Sequence, residues 1–369
     1  MNVYEQLGVR TLINARGTNT RLGGTIILRE VVEAMVEASR YYANLDELHE
    51  KAGEVVARVT GAEAGYITAG AAAGLVIATT ACVVGKDTEK LERLPNTAGM
   101  KNEVIIPKAH RNGYDYAVRQ VGVTLVEVDA PQGASAEEIE GAINERTAAI
   151  LYVYTFSSRG GASLQEVVAV GKRRGIPVIV DAAAELPPAS NLTKLAATGA
   201  DLITFSGGKG IMGPQNAGIL CGRKDLIEAC ALFSNPNHGM GRPMKVGKEE
   251  IIGLVTALEL YEKRDHKADL EEWERQVQHI VDALSDVPHV EAGLMSTTEQ
   301  DPMPYAYVRL DEQALGMTTK DLIEQLQEGT PRIEVRTSSE EIGINPHTLQ
   351  AGEERIIAER LKEVLTGVG

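Results

Sequence analysis

The chain has 369 residues, of which 43% are hydrophobic, and this is enough for one large domain with a smaller partner. Asp and Glu number 52 against 37 Lys and Arg, and the resulting net charge of −15 disfavours nucleic acid as a ligand. The cysteines lack CxxC spacing, the N-terminus shows no signal peptide and no apolar run reaches about 18 residues, so we expect a cytoplasmic protein without a membrane span.

Short apolar segments alternate with helical patterns from about residue 60 to about residue 235. The segments rich in Val, Ile, Leu, Tyr and Thr are predicted strands, at 103–108, 123–129, 148–155, 177–183, 201–207 and 217–223. Several are apolar on both faces, as parallel strands covered by helices should be. The helical patterns between them lie at 113–122, 135–144, 163–175 and 191–200. This alternation predicts an α/β fold with a large, doubly wound and mostly parallel sheet.

The composition changes after about residue 240. Residues 248–287 have a charged amphipathic pattern that predicts a long helix, broken once near Asp265. Strands at 289–295, 304–311 and 332–338 and helices at 318–329 and 353–365 then predict a small α+β domain. We therefore expect an N-terminal arm at 1–20, a large domain at 21–245, and a linking helix with the small C-terminal domain at 246–369.

Lys209 stands alone among glycines and apolar residues in TFSGGKGIMGPQ, just after the predicted strand 201–207. It could grip a phosphate as a point charge, form an imine with an aldehyde cofactor, or be an exposed loop residue. Ligands of open α/β sheets bind beyond the carboxyl ends of the strands. Asp181 ends the neighbouring predicted strand. A carboxylate there is costly unless a positive group meets it, although a helix cap or a salt bridge would also explain it.

Lys209 and Asp181 together fit pyridoxal 5'-phosphate. This cofactor needs a lysine for the imine and a carboxylate that keeps its ring nitrogen protonated, so that the ring can accept electrons from the substrate. The lysine amine, once released, can move a proton. The small residues beside Lys209 would let the cofactor and the substrate approach the backbone closely.

A phosphate site is predicted at the start of the small-residue helical pattern within 65–81. Ala69, Gly70 and Ala71 open that helix, whose free N–H groups and positive end suit a dianion. Ser206, close before the lysine, could add a hydroxyl to the same phosphate. A plain helix start is the alternative.

Other chemistries find less support. His110 directly follows the predicted strand 103–108, where it could stack on the cofactor ring or be merely structural. A nucleotide-binding loop is excluded, because SGGKG is not GxxxxGK[ST] and a glycine follows Lys209. The histidines form no HxH or HxxxH pair and the cysteines are scattered, so we expect no metal site. No GxSxG elbow is present.

The candidate residues lie in four segments that follow one another along the chain: TAGAAAG, PKAHRNGYD, VIVDAAAELPP and SGGKGIMGPQNAGIL. In the last of them Gly-Pro-Gln comes shortly after the lysine. This order resembles the fold-type I pyridoxal phosphate enzymes, and within them the branch of bacterial selenocysteine synthase (L-seryl-tRNA selenium transferase). LINARGTNTRLGG, GRPMKVGKEEIIGLVTALELY and NPHTLQAGEERIIAERL extend the resemblance over nearly the whole chain. The lysine motif is specific for the cofactor and weak on the substrate.

The resemblance implies a role for each matched position. Lys209 becomes the imine lysine, Asp181 the partner of the ring nitrogen and His110 the stacking residue. Gly70, Ala71 and Ser206 become phosphate contacts. The fold also implies an active site at a dimer interface, so we expect a homodimer or a larger homo-oligomer.

The chain departs from selenocysteine synthase in its acidity and in a fold that we expect to begin almost at once, without that enzyme's tRNA-binding N-terminal domain. It is more similar to the shorter D-glucosaminate-6-phosphate ammonia-lyase-like enzymes, which act on small molecules. This implies an α,β-elimination in which a small, sugar-derived β-hydroxy amino acid, with or without a phosphate group, loses its α-proton and β-hydroxyl. The products would be a 2-keto acid and ammonia.

Such a substrate needs a partner for its carboxylate. Arg336 is the first candidate, because a small-domain arginine often plays that part in this fold and the guanidinium fork suits a carboxylate. Arg16 and Arg21, in a Gly-rich segment, could bind a substrate phosphate or carboxylate. Ordinary surface charge is the alternative for all three.

Two other functions remain open. Aldol cleavage, racemisation or selenium transfer onto an aminoacyl-tRNA would use the same Lys209 and Asp181. A binding protein that has lost the chemistry is the second alternative, and the intact lysine–aspartate pair argues against it.

Overall fold

A computed structural model describes residues 2–295, 297–298, 301–338 and 340–367. The chain divides into two compact units, a smaller one of Met1–Ile26 with Arg264–Gly369 and a larger one of Ile27–Lys263. The strands, in chain order, are β1 Leu12–Ala15, β2 Ala64–Thr68, β3 Glu103–Pro107, β4 Thr124–Val128, β5 Thr147–Val153, β6 Val178–Asp181, β7 Leu202–Ser206, β8 Gly218–Gly222, β9 Val290–Leu294, β10 Ala306–Leu310, β11 Arg332–Thr337 and β12 Glu341–Ile344.

Each predicted helix has a counterpart in the structure. In chain order the helices are α1 Val3–Gln6, α2 Arg29–Ala38, α3 Leu45–Thr60, α4 Ala71–Val84, α5 Thr88–Arg93, α6 Asp115–Arg119, α7 Ala136–Gly141, α8 Leu164–Arg174, α9 Asn191–Ala197, α10 Lys224–Leu232, α11 Lys248–Lys263, α12 His266–Leu284, α13 Glu312–Leu315, α14 Thr319–Glu328 and α15 Glu353–Thr366. Of these, α1, α2, α3, α5, α10 and α13 were not predicted. Ser135 and Ser163 cap α7 and α8 with complete capping boxes, which is why these two helices begin where they do. Among the described residues, none of these helices is both long and apolar enough to cross a membrane.

The larger unit contains the predicted α/β sheet. Over the described residues it has seven strands in the order β2-β8-β7-β6-β5-β3-β4. All neighbouring pairs are parallel except those of β8, which runs antiparallel to both β2 and β7. Each of the six predicted strands is observed at its predicted place, so the predicted mostly parallel sheet is confirmed.

Helices cover both faces of this sheet. Along β3, Ile105 packs into one apolar cluster with α3, α8 and α11, whereas Val104 and Ile106 pack into another with α4, α6 and α10. Side chains of a strand alternate between faces, so a strand buried on both faces is apolar throughout. This explains the unbroken apolar runs of the sequence and confirms the doubly wound architecture.

The parallel strands β3, β5, β6 and β7 end at one edge of the sheet, which we call the carboxyl edge. The register is fixed there, because Asp181 of β6 pairs with Val153 of β5 on one side and with Thr204 of β7 on the other. Residues that directly follow these strands are therefore neighbours in space although they are distant in sequence.

The predicted break in the long helix is confirmed at Asp265. Helix α11 ends at Lys263, and the carboxylate of Asp265 accepts hydrogen bonds from the N–H groups of Lys267 and Ala268 to start α12, at 3.2 and 3.0 Å. Helix α11 packs on α2 and α3, so it belongs to the larger unit. The sequence pattern had predicted the domain boundary before this helix, at residue 245.

The smaller unit contains a second sheet, in the order β1-β11-β12-β10-β9 over the described residues. The predicted elements β9, β10, β11, α14 and α15 are confirmed. The N-terminal segment, predicted as an arm, supplies the edge strand β1, which pairs in parallel with β11. Strand β1 has four residues, too short for an alternating pattern, and its partner lies at the other end of the chain.

Candidate active site

Lys209 lies at the carboxyl edge, in the loop of residues 207–217 that joins β7 to β8; we call it the lysine loop. The loop is closed at its base, where the N–H of Gly207 donates to the carbonyl of Ala217 at 2.8 Å. A tight turn follows the lysine, with the N–H of Met212 donating to the carbonyl of Lys209 at 2.9 Å. The lysine side chain is half-buried, so its amine is sheltered and still reachable.

The glycines beside Lys209 serve the packing of the loop. A Cβ atom on Gly208 would lie 2.5 Å from the Cα of Gln215, and one on Gly210 would overlap the carbonyl oxygen of Leu186. At both positions the space that a side chain would occupy is filled by protein atoms. The two glycines hold the backbone of the loop close to its surroundings and so fix the lysine.

Asp181 is the last residue of β6 and is only 7% exposed. Its Oδ1 accepts a hydrogen bond from the N–H of Ala183 at 3.1 Å. Burial raises the pKa of the Asp181 carboxyl, while this hydrogen bond and the positive charge of Lys209 oppose the rise. The acid predicted at this strand end thus lies near a positive group, the half-buried Lys209, that favours its charged form.

The amine of Lys209 has the complementary shift. Burial lowers its pKa, and the carboxylates of Asp181 and Glu185 act in the opposite direction. A lysine with a lowered pKa loses its proton more easily, as imine formation and general-base chemistry require. The predicted lysine–aspartate pair is therefore brought together in the structure.

Glu185 was not predicted as a site residue. It lies in the turn after β6, where its carboxylate accepts a hydrogen bond from the hydroxyl of Thr155, just beyond β5. The sequence offered one indication of Glu185, an acidic residue in the mostly apolar segment DAAAELPP beyond a strand end. Where its side chain lies depends on the shape of the turn, which the sequence does not give.

His110 follows β3 at the same edge, in a short 3₁₀ turn, and is 2% exposed. Its Nδ1 accepts a hydrogen bond from the N–H of Val153 at 3.3 Å, so in the neutral ring the proton is on Nε2. The rings of Tyr152 and His110 form a T-shaped pair, with a centroid distance of 4.7 Å and an interplanar angle of 84°. The ring orientation is therefore fixed by β5, one strand away from Asp181.

The start of α4 is the predicted phosphate site. Gly70 precedes the helix with φ 84° and provides no side-chain cap, so the first N–H groups of the helix are not satisfied by a cap. Ala69 and Gly70 are half-buried and Ala72 is exposed, whereas most of the helix beyond them is buried. An uncapped and accessible helix start is suited to bind an anion.

Ser206 lies next to this helix start. It pairs with Gly218 of β8, and a Cβ atom on Gly218 would lie 2.7 Å from the carbonyl carbon of Gly70 and 2.9 Å from the nitrogen of Ala71. The structure therefore brings Ser206, Gly70 and Ala71 together around one glycine. The lysine loop begins directly after Ser206, so the helix start and the lysine belong to one site.

These residues fit pyridoxal phosphate. The half-buried amine, the buried carboxylate one strand away and the uncapped helix start are the features that the cofactor's aldehyde, ring nitrogen and phosphate require. His110 is a buried ring at the same edge. The donor set contains nothing that conflicts with such a group.

The predicted substrate arginines belong to the smaller unit. Arg336 is exposed at the end of β11, with its guanidinium 4.7 Å above the ring of Tyr305. Arg16 and Arg21 are exposed in the segment after β1, and Arg21 lies in a 3₁₀ turn capped by Asn19. Their roles stay predictions.

A cavity of about 570 Å³ lies at the opposite edge of the large sheet. Tyr66, in the middle of β2, stacks there on buried His49 at a centroid distance of 4.5 Å. Burial lowers the pKa of His49 to about 4. This cavity is separate from the lysine. Among the described residues, no group of three His, Cys, Asp or Glu side chains is placed to hold a metal ion.

Known proteins resemble this chain over most of its length. Residues 12–274 match the family model SelA, described as L-seryl-tRNA selenium transferase. The chain is 36% identical to the D-glucosaminate-6-phosphate ammonia lyase of Salmonella typhimurium, over 98% of each protein. It is 34% identical to the 5'-C-glycyluridine monooxygenase-decarboxylase of a Streptomyces species, over 99% of this chain and 92% of that protein. A solved structure of D-glucosaminate-6-phosphate ammonia-lyase matches with a TM-score of 0.88 at 34% identity, covering 100% of this chain and 99% of that one.

Proposed function

Because the chain belongs to the L-seryl-tRNA selenium transferase family, we propose that it is an ammonia-lyase for a small, sugar-derived β-hydroxy amino acid, which it converts to a 2-keto acid and ammonia. The predicted fold-type I architecture and pyridoxal phosphate cofactor are confirmed by the full-length relatives. The observation that carries the proposal is the half-buried Lys209 beside Asp181, in a chain that matches an ammonia lyase from end to end.

Each residue of the site has a task in this reaction. Bound pyridoxal phosphate would draw electrons from the bonds at the substrate's α-carbon. Asp181 holds the positive charge of the ring nitrogen, His110 supports the ring, and the start of α4 with Ser206 binds the phosphate. The Nζ atom of Lys209 takes the α-proton, because its lowered pKa makes the free amine available.

The substrate's carboxylate is assigned to Arg336 in this proposal. Its guanidinium is held against Tyr305, which reduces the rotamer freedom that binding would otherwise remove. Arg16 and Arg21 are the candidates for a substrate phosphate, since both are exposed cations close together in the chain.

We also propose that the enzyme is a cytoplasmic homo-oligomer that takes a small molecule and no nucleic acid. Large apolar side chains are exposed on and after α2, and a second copy of the chain would cover them: Val32, Val36, Tyr41 and Tyr42. Light scattering on the purified holoenzyme gives the number of subunits, and a monomer would contradict this part of the proposal.

A second reaction on this scaffold, an oxidative decarboxylation, is favoured by one observation, the 34% identity to a monooxygenase-decarboxylase over nearly the whole chain.

A substrate panel distinguishes the lyase reaction from the oxidative one. The holoenzyme is incubated with β-hydroxy amino acids of both configurations, with and without a terminal phosphate, and ammonia, keto acid, carbon dioxide and oxygen uptake are measured. Equal amounts of ammonia and keto acid without oxygen uptake support the lyase. Oxygen uptake with carbon dioxide release would replace it by the oxidative reaction.

A further inference from the structure

Glu185 is fixed in place at the carboxyl edge. Its carboxylate accepts a hydrogen bond from the hydroxyl of Thr155, which follows β5. Its carbonyl accepts a second from the side-chain amide of Asn191, at 2.8 Å. Both ends of the residue are therefore tied, one to the neighbouring strand end and the other to the start of α9, and its carboxylate has a defined position.

The turn that carries Glu185 lies against the lysine loop. A Cβ atom on Gly210 would overlap the carbonyl oxygen of Leu186 and come within 2.7 Å of its Cβ. Leu186 and Gly210 are therefore in direct contact, and they are the chain neighbours of Glu185 and Lys209. The carboxylate of Glu185 lies close enough to the amine of Lys209 to act on its pKa.

The two carboxylates near Lys209 differ in exposure. Asp181 is buried at the end of β6, whereas Glu185 is half-buried. Both act on the amine to keep its proton. The Tyr154 hydroxyl is near both Glu185 and Lys194: burial raises its pKa, the carboxylate of Glu185 raises it further, and the positive charge of Lys194 lowers it.

The groups that the cofactor requires do not include Glu185. The ring nitrogen of the cofactor requires one carboxylate, and buried Asp181 supplies it. Glu185, a second and less buried carboxylate, is therefore available to act on the lysine. Elimination needs such control, since the Nζ of Lys209 must take a proton from the α-carbon and then deliver it to the departing β-hydroxyl, which leaves as water.

We propose that Glu185, oriented by Thr155, is a second acidic partner of Lys209 that keeps the transferred proton on the lysine amine until the β-hydroxyl leaves. The inference rests on the proposed lyase reaction for its purpose, but the pairing itself is a property of this chain. Glu185 is a positioning residue in this arrangement, since it acts through Lys209. The β-hydroxyl of a bound substrate would then be close to a Lys209 amine that still carries the transferred proton.

The test measures how readily the amine of Lys209 loses its proton. In the full-length protein without cofactor, acetylation of Lys209 is followed by mass spectrometry over a series of pH values. Glu185→Gln removes the charge, Glu185→Asp keeps it, and Thr155→Val releases the carboxylate. Glu137→Gln, on the exposed surface of α7, is the matched control. We expect Glu185→Gln to speed labelling about fivefold at a pH below the midpoint, because losing a nearby negative charge frees the amine.

Thr155→Val should give a smaller increase, while Glu185→Asp and Glu137→Gln should stay close to the natural chain. In the holoenzyme, the pH midpoint of the visible absorption band should move to lower pH in Glu185→Gln. An unchanged labelling profile in Glu185→Gln would overturn the inference. If that variant does not fold, the labelling profile of Thr155→Val tests the inference, since this substitution keeps the charge of Glu185 but removes the hydrogen bond that holds its carboxylate. Labelling is independent of turnover, so a failed substrate panel would overturn the lyase reaction and leave this pairing standing.

Discussion

The Nδ1 atom of His110 accepts a hydrogen bond from the backbone N–H of Val153, at 3.3 Å, and Val153 is the residue that pairs in register with Asp181. The proposed stacking ring and the proposed charge partner are thus aligned through a single residue of β5. On β5 the hydrogen bond uses the main-chain N–H of Val153, which a side-chain substitution at Val153 leaves in place.

His110→Phe should keep a ring at this position but leave the buried N–H of Val153 without an acceptor. We expect a loss of about 1–2 kcal/mol in the free energy of unfolding, measured by urea titration. His110→Ala should cost about 3 kcal/mol, because it also opens a cavity. Tyr152→Phe is the control, since it removes only a 3.3 Å hydrogen bond to the carbonyl of Ala162. A His110→Phe protein as stable as the natural one would show that this hydrogen bond contributes nothing.

Lys209→Ala should abolish the covalent link to the cofactor. The yellow colour of the holoenzyme should no longer be fixed by borohydride, and mass spectrometry should find no cofactor attached after reduction. Lys101→Ala removes an exposed lysine elsewhere and should behave like the natural protein. Retention of a reducible visible band in Lys209→Ala would mean that another lysine forms the imine.

Asp181→Asn should weaken cofactor binding and change the pH dependence of stability. Burial raises the pKa of Asp181 above its unfolded value, so its contribution is present below the unfolded pKa and is lost as pH rises through the folded one. Without cofactor, the variant should therefore gain stability relative to the natural chain as the pH is raised from about 4 to about 8.

This gain is measured as the difference in urea midpoint between the two proteins at each pH. Asp129→Asn, whose carboxylate pairs with Lys108 on the surface, should show no comparable trend. A constant difference between Asp181→Asn and the natural chain would contradict the raised pKa.

Gly210→Ala should displace the lysine loop, because the new methyl group would overlap the carbonyl of Leu186. We expect a stability loss of about 1–3 kcal/mol and a lower content of bound cofactor. Gly141→Ala, where a Cβ atom meets nothing within 4 Å at the end of α7, should be neutral or slightly stabilising. Equal cofactor content in Gly210→Ala and the natural protein would show that the loop has room to shift.

Arg336→Ala should raise KM for the amino acid substrate about tenfold or more with a smaller effect on kcat, because a charged hydrogen-bond partner of the carboxylate is lost. Arg336→Lys should recover only part of this. Arg309→Ala is a matched control, since Arg309 also stands over a tyrosine, at 5.3 Å from the ring of Tyr307. Equal KM values in both alanine variants would remove Arg336 from the proposed carboxylate site.

The sequence was sufficient to place Lys209 and Asp181, because both follow apolar runs that could only be buried strands, and the ends of parallel strands meet at one edge. It could not place Glu185, whose carboxylate reaches Thr155 only through the shape of a turn. Nor could it show that Gly218 touches Gly70, since that contact depends on the antiparallel direction of β8. Strand β1 was not predicted, because four residues are too few to show an alternating pattern and its partner strand, β11, lies near the other end of the chain.

The antiparallel strand β8 also decides when the site can exist during synthesis of the chain. Strand β2 is the first strand of the larger unit to be made, and β8, its neighbour in the sheet, is the last. Until residues 218–222 leave the ribosome, β2 has no neighbouring strand in the sheet, and Gly218 is not yet packed against Gly70 and Ala71. A nascent chain that ends before β8 therefore contains every proposed cofactor contact of the larger unit, yet it lacks the strand that borders the proposed phosphate site.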